Sequence, residues 1–321
     1  MNVALLEKIS PDEKQMRQYY SESLVSLIDS GEPVLAFDAD LMRAVGLLPY
    51  KKGREKSIYD CGIAEANMVG LAAGVSAEGF VPFVHSFAAF ASRRAFDQVF
   101  VSGAYARLNV KIVGSDPGTA SALNGGTHQA NEDIALMRTI PGMTIVEPTD
   151  PAMLKNLIPK IAAEYGMCYI RLFRLNAPRI YKDGSDFDIG RSVMLRDGSD
   201  ASVIACGLEV QEALKAAEML ADEGVSVRVL DMFTVKPIDR EAVIRAARET
   251  GAIVTAENHS VIGGLGSAVA EVVCRECPVP VGFVGIDDVF GEVGFTPLLM
   301  ERFGLTAKHI AAKVMDTLGR K

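Results

Sequence analysis

The chain has 321 residues, 49% of them hydrophobic, and a formal charge of −8 at pH 7. That length supports two α/β domains, each with its own buried core, rather than one small module. The acidic balance argues against nucleic acid or an anionic membrane as partner, because both need a basic face that displaces counterions. Phosphorylated, sugar-phosphate-like substrates stay open, since a few placed arginines bind them whatever the net charge.

Five scattered cysteines form no disulfide framework and fit a reducing compartment, so the expected location is cytoplasmic. From Met1 to Tyr20 the chain carries Glu7, Asp12, Glu13, Lys14 and Arg17 among few apolar residues, unlike a signal or transit peptide. Short β-branched runs then alternate with longer helical patterns, the signature of parallel sheets flanked by helices. The pattern predicts strands at Val34–Phe37, Val81–Val84, Val110–Val113, Thr144–Glu147 and Tyr169–Leu172. Helices are predicted through Ile63–Val75, Ala88–Ala106, Asn131–Arg138 and Pro151–Glu164. A polar Asp- and Gly-rich stretch, Lys182 to Gly190, marks the boundary, giving domains 1–188 and 189–321. Strands Ser202–Ala205, Ser226–Leu230, Ile253–Thr255 and Val281–Val284 follow, with helices Val210–Asp222, Arg240–Glu249, Leu265–Arg275 and Ala307–Leu318. The fold class is therefore α/β, with two domains that are each a mainly parallel sheet flanked by helices.

Glu65 is the one acid between Asp60 and Glu78, and its neighbours are small or apolar. Scarce water would raise its pKa and let it share a proton. The alternative is a surface glutamate on an Ala/Gly-rich helix. Gly70, Ala73 and Gly74 recur at helical spacing, where another backbone could approach closely. Phe87 and Phe90 share a helical face and could stack on a flat heterocycle, or simply fill the core. The glycine-rich loop Gly114 to Gln129 leaves a strand and enters a helix, where open α/β sheets place ligands. It carries His128, which suits proton transfer near neutral pH or, alternatively, caps the helix that follows.

The segment Ile63 to Gly74, the run Phe87-Ala88-Ala89-Phe90 with Arg94-Ala95-Phe96-Asp97-Gln98, and the ending Gly126-Thr127-His128-Gln129 together resemble transketolases. So do Glu257-Asn258-His259, Gly263-Gly264-Leu265-Gly266 and Phe290-Gly291-Glu292 in the second domain. The resemblance implies a thiamine-diphosphate pyrimidine-binding domain followed by a transketolase C-terminal domain. Glu65 would hydrogen-bond a ring nitrogen of the aminopyrimidine, Phe90 would stack on it with Phe87 in support, and His128 would be catalytic. Arg174 matches the arginine that binds the substrate phosphate, with Arg171 as the fallback. For the glycines of the second domain, the resemblance implies packing rather than phosphate binding.

The family's Gly-Asp-Gly…Asn signature, which holds the diphosphate and its metal, is absent from this sequence. The resemblance therefore implies a split enzyme. An N-terminal transketolase subunit would supply that domain and bind Mg2+ or Ca2+, in a dimer or an α2β2 heterotetramer, and no metal ligands are expected in this chain. Three positions depart from the family. Asp116 stands where relatives carry a substrate-contacting histidine, Asn124 where they carry an aspartate that meets the donor hydroxyl, and His85 where they carry serine or threonine. All three are expected to line the substrate pocket, with His85 partly replacing the missing histidine. The expected reaction is transfer of a two-carbon ketol unit from a ketose to an aldose. The alternatives are another thiamine-diphosphate-dependent ligation or cleavage with a remodelled pocket, and a non-catalytic regulatory subunit.

Overall fold

The computed structural model describes residues 1–321. By internal packing the chain divides into two units, Met1–Pro117 with Leu136–Phe187 and Gly118–Ala135 with Asp188–Lys321. The stretch Gly118–Ala135, expected in the first domain, thus packs with the second unit, where its hydrogen-bond partners are.

The first unit contains β1 (Leu5–Pro11), α1 (Met16–Asp29), β2 (Val34–Asp38), α2 (Met42–Val45), β3 (Ile58–Asp60), α3 (Glu65–Ala77), β4 (Val81–Phe87), α4 (Phe96–Gln98) and β5 (Lys111–Ser115). After the excursion it takes up the second half of α5 (Asp133–Arg138), then β6 (Thr144–Val146), α6 (Pro151–Ala163), β7 (Cys168–Leu172) and β8 (Pro178–Tyr181). Its sheet runs β6-β7-β5-β4-β2-β3, with every neighbouring pair parallel. All five residues of β2, of β5 and of β7 are buried, because helices cover both faces of a parallel sheet. The chain steps outward from β2 to β3 and then crosses to β4 on the other side of β2. That reversal makes the carboxyl ends of β2 and β4 a topological switch point, the place where such sheets receive ligands.

Asp150 starts α6 as its N-cap, accepting from the Met153 N–H at 2.9 Å, with Pro151 in the first turn. Its other oxygen accepts from the Ile180 and Tyr181 N–H groups at 2.9 Å, which ties the helix to β8. Burial pushes the Asp150 carboxyl up against the pull of those donors.

The segment expected as one helix over Ala88–Ala106 is instead π-helical at Phe90–Arg94 and Val99–Tyr105, around the single α turn of α4. The Ser92 hydroxyl donates to the Ala88 carbonyl at 2.6 Å and the Arg93 side chain to the Ala89 carbonyl at 3.4 Å, so side chains take acceptors of the regular ladder. A widened turn re-aims every side chain after it, and such turns concentrate at functional sites.

The second unit comprises β9 (Val193–Arg196), β10 (Ala201–Ala205), α7 (Glu209–Asp222), β11 (Val227–Asp231), β12 (Thr234–Lys236), α8 (Arg240–Thr250), β13 (Ile253–Ser260), α9 (Leu265–Glu276), β14 (Val281–Ile286), α10 (Thr296–Arg302) and α11 (Ala307–Leu318). Its sheet is ordered β14-β13-β10-β11-β9, parallel except for the antiparallel edge strand β9. At the glycine-rich entry to α9, the Glu257 carboxylate accepts from the Leu265 and Gly266 N–H groups at 2.7 and 2.8 Å. An internal anion therefore fills the place at that helix N-terminus where a phosphate would sit. A Cβ on Gly264 would stand 2.0 Å from Glu257 Oε2, so only glycine fits. No helix of the chain is long and apolar enough to cross a membrane.

Candidate active site

Glu65 opens α3, where the helix dipole favours a carboxylate. It is 1% exposed, which removes the surface-glutamate alternative. Its Oε1 accepts from the Ser86 hydroxyl at 2.9 Å and its Oε2 from Arg94 Nη1 at 2.8 Å. The Arg94 guanidinium also lies 4.3 Å from the centre of the Phe90 ring. A flat, nitrogen-bearing cation thus sits against an aromatic face and hydrogen-bonds the buried carboxylate. An aminopyrimidine offers the same combination, a face for Phe90 and a nitrogen for Glu65, so these residues fit the pyrimidine half of thiamine diphosphate. Phe87 stands behind Phe90, with ring centres 6.3 Å apart. Sequence reading did not single out Ser86 or Arg94, although Arg94 lies inside the run that carries the resemblance and Ser86 directly precedes it.

His85 lies on β4 in register with Asp38 at the end of β2. Its Nδ1 is 2.7 Å from Asp38 Oδ2 and its Nε2 is 2.9 Å from Ser115 Oγ at the end of β5. The ring is 1% exposed. Both nitrogens are engaged within the protein, so this arrangement does not supply the substrate contact expected of His85. It joins the ends of three strands, fixing Ser115 and the residue that follows it.

That residue is Asp116, fully buried, with a left-handed φ of 54° that few non-glycine residues adopt. Its carboxylate forms an ion pair with the Arg174 guanidinium. Burial pushes the Asp116 carboxyl up to about 7, opposed by the charge of Arg174 and, less strongly, of Arg17. Arg174 is about one-fifth exposed, with its guanidinium 5.5 Å from the centre of the Phe87 ring. Arg171, the fallback for anion binding, is fully buried and donates to Glu147 Oε1 at 2.9 Å. It is a core residue.

Asn124 and His128 belong to the second unit, Asn124 exposed and His128 half-buried. His128 Nδ1 is 3.0 Å from the Thr127 hydroxyl. Residues that sequence reading missed hold this loop. Asn258 Oδ1 accepts from both the backbone N–H and the hydroxyl of Thr119 at 3.0 Å. The Gln129 side-chain amide donates to the Glu292 carbonyl at 2.8 Å and accepts from the Glu292 N–H at 3.1 Å, as a paired strand would. A Cβ on Gly291 would fall 1.9 Å from Gln129 Oε1, and one on Gly126 would fall 2.2 Å from the Gly291 carbonyl. Phe290-Gly291-Glu292 and Glu257-Asn258-His259 therefore act as a clamp on the histidine loop. Both runs stand out in the sequence, but their pairing with the loop is not readable from spacing.

The structure thus brings Glu65 together with Phe90 and Phe87, and Asp116 together with Arg174. It places Asn124 and His128 on one clamped loop. Residues 12–179 match the transketolase pyrimidine-binding domain and residues 190–310 the transketolase C-terminal domain. The chain is 50% identical over 314 residues to the 6-deoxy-6-sulfo-D-fructose transketolase subunit SqwH of Clostridium sp. strain MSTE9, covering 98% of each. It is 36% identical over 301 residues to an apulose-4-phosphate transketolase subunit of Phocaeicola vulgatus, covering 94% of this chain and 96% of that one. A solved structure described as a split gene transketolase, inactive beta4 tetramer, is 43% identical with a TM-score of 0.89, covering 96% of this chain and 99% of the other. With both domain matches spanning most of its length, this chain belongs to the transketolase family and is similar to subunits of split transketolases.

Proposed function

We propose that this chain is the pyrimidine-binding subunit of a two-subunit, thiamine-diphosphate-dependent transketolase that moves a two-carbon ketol unit from a ketose donor to an aldose acceptor. The observation that carries the reading is Glu65, buried at the start of α3 with Arg94 hydrogen-bonded to it and lying on Phe90. When bound, the cofactor supplies the carbon nucleophile and electron sink for the bond that breaks. The protein's work is positioning and proton handling. Glu65 holds or releases a proton at a ring nitrogen, Phe90 fixes the ring plane and Ser86 keeps the carboxylate oriented. His128 moves protons at the substrate's hydroxyl oxygens near neutral pH.

A partner subunit would hold the diphosphate and Mg2+, in keeping with the relatives named as transketolase subunits. The outer face of α3 supports that reading. Gly70 and Gly74 meet nothing within 4 Å of where a Cβ would stand. Ile63 (74% exposed), Leu71, Val101 and Tyr105 (82% exposed) lie open on α3, the turn before it and the adjoining π-helical segment. Apolar surface of this kind beside a candidate site marks a protein interface, and an α2β2 assembly is the proposed form.

The donor is proposed to be a ketose with an anionic end, in keeping with the relative named for 6-deoxy-6-sulfo-D-fructose. The test is co-expression with the partner subunit, followed by a donor screen with an aldose acceptor, thiamine diphosphate and magnesium. The expected products are an aldose two carbons shorter than the donor and a ketose two carbons longer than the acceptor. Absence of both from every ketose donor would overturn the proposal.

A further inference from the structure

We propose that Asp116 determines specificity by serving as an internal anion for Arg174, so that the donor site favours a singly charged tail such as a sulfonate over a doubly charged phosphate. This rests on the reading above that Arg174 faces the donor's far end.

Charge and access both point this way. Arg174 is partly exposed beside Phe87, as a substrate-facing arginine would be, yet its guanidinium is paired with a carboxylate that no solvent reaches. Arg17 is the other cation that acts on Asp116, and its backbone N–H donates to the Arg174 carbonyl at 3.1 Å. The neighbouring acid, Asp38, is taken up by His85 and by the Leu41 N–H. The Arg17 side chain is engaged by Gln15 and the Ala44 carbonyl, so the cation left for the ligand is Arg174, whose charge the Asp116 carboxylate offsets. A phosphate ester brings about −1.5 to −2 at neutral pH and would meet the Asp116 carboxylate across the same arginine. A sulfonate has a single ionisation and keeps one negative charge, so it meets less repulsion from that carboxylate. Asp116 is also held rigidly, because Ser115 before it is hydrogen-bonded into the Asp38–His85 pair.

The test compares kcat/KM for fructose 6-phosphate and for 6-deoxy-6-sulfofructose in the reconstituted complex, wild type against Asp116→Asn. Asparagine is the conservative choice because it tolerates a left-handed φ. Removing one buried negative charge beside the arginine is expected to shift the ratio toward the phosphate donor by at least about tenfold, mostly through KM. Asp116→His serves as a second variant should the first not assemble. A ratio within about twofold of wild type in a folded, active variant overturns the proposal, since tenfold corresponds to only about 1.4 kcal/mol. A second readout does not depend on turnover: competition between methanesulfonate and dianionic methylphosphonate for the complex, followed by ligand-observed NMR. The wild type should prefer the sulfonate and Asp116→Asn should lose that preference; equal preference in both contradicts the proposal. If the wild-type complex transfers from no ketose, the functional reading fails, while the anion competition still decides the role of Asp116.

Discussion

Replacing Glu65 by glutamine in the assembled complex is expected to lower ketol transfer by about 10²–10⁴-fold, the range in which positioned acid–base groups contribute. Glutamine keeps the shape and can still accept from Ser86, but it cannot take up or give a proton. The carboxylate is buried, and two donors from its own chain engage it, Ser86 at 2.9 Å and Arg94 at 2.8 Å. Those contacts are local, so circular dichroism and the thermal midpoint should change little while turnover collapses. Turnover within about threefold of wild type, far below the span expected for a general acid–base group, would remove Glu65 from the mechanism.

The largest expected effect on stability lies elsewhere in the same unit. Arg171 is fully buried on β7 and its partner Glu147 follows β6, with 2.9 Å between Nη1 and Oε1. Glu147→Ala would take the carboxylate partner from a guanidinium held in the core, and breaking a buried pair from one side costs about 3–5 kcal/mol. The paired replacement Arg171→Met with Glu147→Leu removes both charges together and should recover most of that loss, since apolar substitutes for a buried pair are often neutral. Urea unfolding of the three variants and the wild type reads this directly. A loss below about 1 kcal/mol for Glu147→Ala would show that water or another acceptor reaches Arg171, placing it in the surface class rather than the buried one.

The sheet strands that carry the core were readable because both faces of a parallel sheet are apolar, and the runs at Val34, Val81, Val110 and Ile253 all became strands. Their ends were not readable. β2, β4 and β5 continue into Asp38, His85 to Phe87 and Ser115, where polar side chains satisfy one another across the sheet instead of meeting water. A rule that ends strands where apolar residues end misses this. The antiparallel pair of β1 and β8 and the helix α1 also escaped, since β1 is a largely exposed strand whose partner lies far along the chain and α1 shows a weak apolar stripe among polar residues.

For the site, Glu65 was legible as a lone acid among small residues, whereas the aromatic pair does not share the helical face its spacing suggested, since Phe87 ends β4 and Phe90 begins the π-helical segment. What the spacing could not give were partners brought close by topology: Asp38 for His85 across 47 positions, and Glu292 for Gln129 across 163. His85 was read as a substrate group through the resemblance, as a stand-in for the family histidine that Asp116 replaces. Its two buried hydrogen bonds make it a strut.

If this chain holds only the pyrimidine half of a shared cofactor site, neither subunit should work alone. The decisive measurement is calorimetric titration of thiamine diphosphate with Mg2+ into the isolated chain, the isolated partner subunit and their equimolar mixture, with ketol transfer assayed in each. Saturable binding and turnover are expected in the mixture alone. Full binding and turnover by the isolated chain, or none of either in the mixture, would contradict the shared site.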